Sequence, residues 1–413
     1  MFASILPTVA EVKRNGEKKE EEDDSEKEEK VEGPFSNIRG GISVLHKHQY
    51  VFLAVLAAVP FLLYAFLRPD LRGFDSYAFL AQACGNFAIE TTPPIANFVL
   101  SFIPCNILAI KLCLFLLFFL SLCGIANLGS LFHKEKGWLA ALFSFLSPSL
   151  FFEATKFEND QFAIPILIWA AYFFYRARKT GHRQWDFYAF ALVLFAAGFW
   201  YGAVYWLLAF ALSSAVFVFP AFVAIGLFNK FLLLSALPGK IVEALPFNGI
   251  AMLAGLSLGF ALLPVEMFPQ ATVFVILLVM QVKWAWFIMP FLSVGVMLFY
   301  VNPKLETKPV ARQVKGILLM AAIFMVVVWG FALQGHPPHS HQWEAVEYAI
   351  SQSETGEVYN DWDLGYWVMF RGGTPSQYGG GKQQPFGAGV VLTREELQCP
   401  KLKAFKELFV YRC

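Results

Sequence analysis

Long apolar runs broken by short polar, often basic, interruptions occupy residues 50–335. They fall near 50–67, 105–128, 138–154, 161–177, 186–202, 204–228, 246–264, 271–301 and 316–335. Most approach the ~20 residues an α-helix needs to cross hydrocarbon, which predicts about nine spans. The run 271–301 is long for one crossing and short for two; Lys283 and Pro290 lie inside it, so a broken or tilted single crossing is predicted. Before the first run, residues 1–49 form a polar tail. Its stretch "KKEEEDDSEKEEKVE" (18–32) mixes both charges with almost nothing to bury, so the tail is expected to be disordered and cytoplasmic. Beyond the last run, 336–413 changes character. "WEAVEYAISQ" (343–352) has helical spacing, "EVYNDW" (357–362) and "GAGVVLT" (387–393) read as strands, "REELQCPKLKAFKELF" (394–409) as helix, and "LFVYRC" (408–413) as a returning strand. The fold class is therefore a polytopic α-helical membrane bundle (50–335) followed by a small C-terminal α/β domain (336–413).

Composition agrees. Hydrophobic residues make up 57% of the chain and charged residues only 15%, against about a quarter in soluble domains, and the mean hydropathy is +0.54. The net charge of +1, without a basic stripe interleaved with aromatics, excludes a nucleic-acid partner. Cys105, Cys113 and Cys123 lie in or beside apolar runs and read as small buried hydrophobes. Cys399 and Cys413 share the terminal region and can pair only if it faces an oxidising space.

Orientation follows from Lys and Arg in short loops. "HKEKG" (133–137), "YRARKTGHR" (175–183), "NK" (229–230) and "NPKLETKPVARQVKG" (302–316) hold most of the bundle's basic residues and are placed inside. The N-terminus is then cytoplasmic. If 271–301 crosses once, loops 68–104, 155–160 and 265–270 and the tail 336–413 are extracytoplasmic. That face gathers Asp70, Asp75, Glu158, Asp160 and Glu266. Carboxylates beside hydrocarbon are costly unless paired, wet or metal-bound, and three loops converging on one mouth would offer the hard oxygen ligands that Mg²⁺ or Mn²⁺ prefers.

These stretches resemble the catalytic subunit of oligosaccharyltransferase and, more broadly, the GT-C glycosyltransferases that use polyprenyl-phosphate sugars. "FDSYAFLAQA" (74–83) is similar to the family's F-D-P-Y first-loop motif, "FENDQFAI" (157–164) to its second-loop acidic motif, and "AAGFWYGAVYWLLAF" (196–210) to its W-G-G-Y-V segment. "PVEMFPQAT" (264–272) resembles the fifth-loop S-V-x-E, "QVKWAWFIMP" (281–290) a segment with an arginine before a Pro-ended helix, and "YNDWDLGYW" (359–367) the W-W-D-Y-G-Y-W acceptor motif. All six occur in the family's order. The chain departs from the pattern in a compressed interval between Glu266 and Lys283, in lacking an arginine just upstream of Glu158, and in losing one tryptophan and the tyrosine of the last motif.

The resemblance implies an extracytoplasmic active site on an integral membrane protein. The donor would be a sugar or oligosaccharide on a polyprenyl phosphate or pyrophosphate whose tail stays in lipid, and the acceptor a glycan, lipid or protein. Asp75 would be the catalytic carboxylate, orienting the acceptor nucleophile for inversion. Asp75, Glu158, Asp160 and Glu266 would hold Mg²⁺ or Mn²⁺, Lys283 would bind the donor phosphate, and Trp362, Asp363 and Tyr366 would contact the acceptor, with Asp361 beside them. The rival class is a transporter or lipid flippase, which predicts internal repeats and mid-membrane charges; neither stands out in the sequence. "HPPHSH" (336–341) reads as an interfacial linker rather than a metal site.

Overall fold

The computed structural model describes residues 48–68, 70–71, 75–85, 93–146, 155–221, 223, 263–280, 287–303, 309, 313–317, 320, 324, 338–361, 364–377 and 389–413, with Pro60, Asp75 and 276–280 by backbone alone. The polar tail, the predicted spans over 246–264 and 316–335 and the residues Lys283, His336, Trp362 and Asp363 fall wholly or mostly outside the described residues.

The loop 68–104 carries two helices that the apolar pattern did not predict, α2 Asp75–Ala83 and α3 Pro94–Leu100, whereas α1 Gln49–Leu67, α4 Ile107–Ser130, α5 Gly137–Phe145, α6 Asn159–Thr180, α7 Gln184–Ala197 and α8 Val204–Ala211 fall within or close to predicted runs. Among the described residues, α1 and α4 are each long and apolar enough to cross a membrane. Asn106 starts α4, its side-chain oxygen accepting the N–H groups of Leu108 and Ala109. Gly181, at φ 72°, ends α6 in the left-handed conformation that glycine adopts freely. The buried Lys111 of α4 donates to the carbonyls of Tyr64 and Arg68, capping the C-terminus of α1. That contact satisfies a cation that would otherwise be expensive at this depth.

Small residues let the helices approach, as in other membrane bundles. A Cβ on Gly124 would lie 2.8 Å from Ile168 Cγ2, where α4 crosses α6. On the other side of α6, aromatic rings fill the bundle: Phe174 stacks on Phe210 at 4.1 Å, and Trp206 packs against Phe274, Phe287 and Phe291.

The run 271–301 is not one crossing. It forms α9 (Phe268–Met280) and α10 (Met289–Val301), 13 residues each. Phe274 of α9 lies 5.5 Å from Phe287 and 5.4 Å from Phe291, whereas a continuous helix would separate residues 274 and 291 by about 25 Å at 1.5 Å per residue. The chain folds back between the two helices, bringing Phe287 and Phe291 against Phe274.

The C-terminal unit has the predicted α/β character. A five-stranded sheet, β1 Glu357–Asn360, β2 Thr374–Gln377, β3 Val390–Thr393, β4 Lys401–Phe405 and β5 Leu408–Arg412, is ordered β2-β1-β3-β5-β4. β2, β1 and β3 run parallel, and β5 and β4 are antiparallel additions. Helices α11 (Ser340–Gln352) and α12 (Gly365–Phe370) complete it. The helix predicted over 394–409 is instead the β4–β5 hairpin. Pro400 cannot continue a helix, and Lys406 adopts φ 49° at the turn. The Cys399–Cys413 disulfide and the Arg412 N–H to Pro400 carbonyl bond hold the hairpin's open end. Cys105 is likewise not a buried hydrophobe but is bonded to Cys84, tying the chain after α2 to the start of α4.

Candidate active site

The second residue of α2 makes the contact that organises the site. Ser76 is fully buried, and its Oγ accepts the Phe157 N–H at 2.9 Å across 81 residues of chain. Asp75 precedes Ser76 and opens α2; Glu158 follows Phe157 and is the N-cap of α6, with Asp160 in the first turn. Two helix N-termini therefore meet, each carrying acidic residues. The N-terminal end of a helix dipole favours such negative charge. Lys156 Nζ stands 3.9 Å from Glu158 Oε1, with both side chains about one-fifth exposed (21% and 22%), and Gln161 donates to Asp160 Oδ1 at 3.4 Å. Lys156 thus supplies a cation on the second loop itself. Among the described residues no three His, Cys, Asp or Glu side chains lie close enough to hold a metal. Glu158 and Asp160 bring two carboxylates, the oxygen donors that hard divalent cations accept, to the helix start next to the Ser76–Phe157 contact.

The residue after Ser76 fastens the C-terminal domain. Tyr77, with no exposed surface, packs its ring on Trp343 of α11 at 5.1 Å and on Phe370 of α12 at 5.2 Å. Its hydroxyl accepts the Leu71 N–H at 3.0 Å, and burial, with Asp70 nearby, pushes its pKa above the usual phenol range. Asp70, grouped by sequence with the outer carboxylates, accepts Trp343 Nε1–H at 3.1 Å and serves this docking.

Within the domain, Asp361 has internal partners. It accepts from Thr393 Oγ1 at 2.9 Å and Arg394 N at 3.0 Å, joining the ends of β1 and β3. Tyr366 is half-buried on α12 and packs against the core. A Cβ on Gly365 would lie 2.9 Å from Asn360 Nδ2, so a side chain there would have to displace that amide.

This architecture has solved counterparts. The oligosaccharyltransferase of Archaeoglobus fulgidus, solved with zinc and sulfate, superposes with TM-score 0.53 at 13% identity over 78% of this chain and 62% of that one. Its apo form gives 0.53 at 11% identity, over 80% and 64%. The archaeal oligosaccharyltransferase AglB from A. fulgidus, in complex with an inhibitory peptide and a dolichol-phosphate, gives 0.55 at 13%, also over 80% and 64%. The fold is that of an oligosaccharyltransferase. The GT-C resemblance read from the motifs holds at this level. No protein-family model and no curated protein sequence matches the chain, and it spans less than two thirds of the length of the oligosaccharyltransferases it superposes on.

One assigned ligand does not belong with the others on this oligosaccharyltransferase fold. Glu266 pairs with Lys179 at 3.1 Å, and Lys179 lies in the last turn of α6 while Glu158 caps its first. The intervening 21 residues rise about 31 Å, so Glu266 shares no ion with Glu158. The parity that put 265–270 outside assumed one crossing through 271–301, and the break between α9 and α10 removes that assumption. Glu266 and Lys179 are substantially exposed (50% and 37%), and such pairs contribute about 1 kcal/mol or less. Glu266→Gln is therefore expected to keep the metal requirement of any turnover and to change its rate by less than about threefold, checked by metal titration of the purified variant.

Ser76, the Asp70–Trp343 bond and the Cys84–Cys105 bridge are the functional contacts that sequence reasoning missed. The two cysteines carried a usable signal, since Cys84 lies within the loop 68–104 predicted to face outward and Cys105 directly follows it. A lone serine and a solvent-side aspartate carried none.

Proposed function

We propose that this chain is a membrane glycosyltransferase that moves a sugar or oligosaccharide from a polyprenyl phosphate or pyrophosphate to an extracytoplasmic acceptor, with metal assistance and inversion. The observation that carries the reading is the meeting of the Asp75 and Glu158 motifs through Ser76 and Phe157, on an oligosaccharyltransferase fold. The Cys84–Cys105 and Cys399–Cys413 bridges lie in the first loop and the C-terminal unit, while Cys113 and Cys123 of α4 are free thiols. This distribution supports an oxidising, extracytoplasmic space on the Asp75 side.

In this reading Asp75, Glu158 and Asp160 hold Mg²⁺ or Mn²⁺. The cation, when bound, would offset the charge that grows on the departing phosphate. Asp75 accepts a hydrogen bond from the acceptor nucleophile and aims it at the anomeric carbon opposite the phosphate. Lys156 adds positive potential at the mouth of the site, and Lys283 is retained as a donor-phosphate contact. The C-terminal unit, docked through Tyr77, brings the segment with Trp362, Asp363 and Tyr366 to the acceptor. The inhibitory peptide in the AglB complex favours a polypeptide over a glycan or lipid acceptor.

Purified protein in lipid nanodiscs, given a mixed polyprenyl-linked sugar pool and acceptor peptides, is expected to release polyprenyl phosphate or pyrophosphate and to stop on addition of EDTA, with recovery in Mn²⁺ or Mg²⁺. Mass spectrometry of the lipid products reads the outcome. Absence of any metal-dependent release from every pool rules the reading out.

A further inference from the structure

We propose that Ser76 is a positioning residue: its hydroxyl ties the second loop to the first and sets the spacing of Glu158 and Asp75. The inference rests on the functional reading above and deepens it for the same site.

Ser76 and Tyr77, successive residues of α2, address different parts of the molecule, because neighbours on a helix point about 100° apart. Asp75 belongs to the candidate reaction centre, Ser76 binds the backbone ahead of α6, and Tyr77 binds the C-terminal unit. Ser76 and Phe157 have no exposed surface, so water cannot replace the acceptor if the hydroxyl is removed. Phe157 is held from its other side as well: its ring packs edge-on to Phe162 at 6.2 Å, and Phe162 stacks on Phe199 at 5.6 Å. The side chain is thus anchored in the bundle while the amide is anchored by Ser76. Glu158, the next residue, cannot drift from Asp75 without breaking one of the two anchors.

Ser76→Ala removes one oxygen from a small buried side chain and leaves the Phe157 N–H without its acceptor. Its kcat for polyprenyl phosphate release is expected to fall about 10-fold and the Mn²⁺ concentration for half-maximal rate to rise about 5- to 10-fold, with donor KM within about twofold of wild type. Ser76→Thr, which keeps the oxygen, restores the metal requirement. Hydrogen exchange of the peptide spanning 155–160, which needs no donor, speeds up in Ser76→Ala. Gly124→Ala, which strains the α4–α6 crossing, supplies a destabilised comparison expected to keep the wild-type metal requirement. An unaltered Mn²⁺ requirement in Ser76→Ala, whether or not exchange speeds up, overturns the positioning role and leaves the proposed function standing. Wild-type protein with no metal-dependent release overturns both.

Discussion

Asp75→Asn lowers polyprenyl phosphate release by about 10²–10⁴-fold, the usual worth of a positioned acid–base group. Asparagine keeps the size of the side chain and, on the proposed function, removes both the charge that would orient the nucleophile and a proposed metal ligand. Glu158→Gln falls in the same range and, unlike Asp75→Asn, relaxes the hold of Lys156 on the second loop. The Lys156–Glu158 pair is long, at 3.9 Å, and partly exposed, so its loss costs about 1 kcal/mol or less of stability. A large rate effect with a small thermal shift is the signature to look for. The double variant is expected to be little worse than either single one, because residues holding one ion act as a unit. Single-turnover rates measured at saturating Mn²⁺ separate the two roles: excess metal recovers part of the activity of Glu158→Gln and none of that of Asp75→Asn. Turnover unchanged in both single variants removes the site assignment.

The parts of the molecule that were legible in advance are those where one physical preference dominates. Lipid demands apolar runs of fixed length, so the boundaries of α1 and α4 follow from hydropathy to within a few residues. Alternating apolar residues and a returning strand likewise announce β1, β3 and β5. The 271–301 region was harder because an all-apolar run carries no facing pattern. Lys283 and Pro290 mark a break without saying whether the chain continues or reverses. The reversal is decided by Phe274 meeting Phe287 and Phe291, and every loop assigned by parity depends on it, Glu266 included. The 394–409 stretch has plausible helical spacing, but a proline, a left-handed turn and a disulfide prevail together over it. Ser76 illustrates the limit: a hydrogen bond across 81 residues leaves no local trace.

Tyr77→Ala is expected to loosen the C-terminal unit from the bundle. The ring is wholly buried between Trp343 and Phe370, and deleting a large buried aromatic typically costs about 3–5 kcal/mol. Two further losses fall on the same junction. The Leu71 N–H forfeits its hydroxyl acceptor, and the Trp343–Asp70 bond loses the ring that holds Trp343 in place. Tyr77→Phe keeps the ring and forfeits only the hydroxyl contact, about 1–3 kcal/mol, so it should fall between wild type and Tyr77→Ala. The damage is local, because the five-stranded sheet and its Cys399–Cys413 bridge do not involve Tyr77. Hydrogen exchange should accordingly rise in α2, α11 and α12 while β3 and β5 stay protected. If the segment with Trp362, Asp363 and Tyr366 presents the acceptor, KM for the acceptor peptide rises at least about 10-fold in Tyr77→Ala, and the metal requirement set by Glu158 and Asp160 is unchanged. Loss of protection throughout the sheet would instead mean that Tyr77 supports folding of the whole unit rather than its docking.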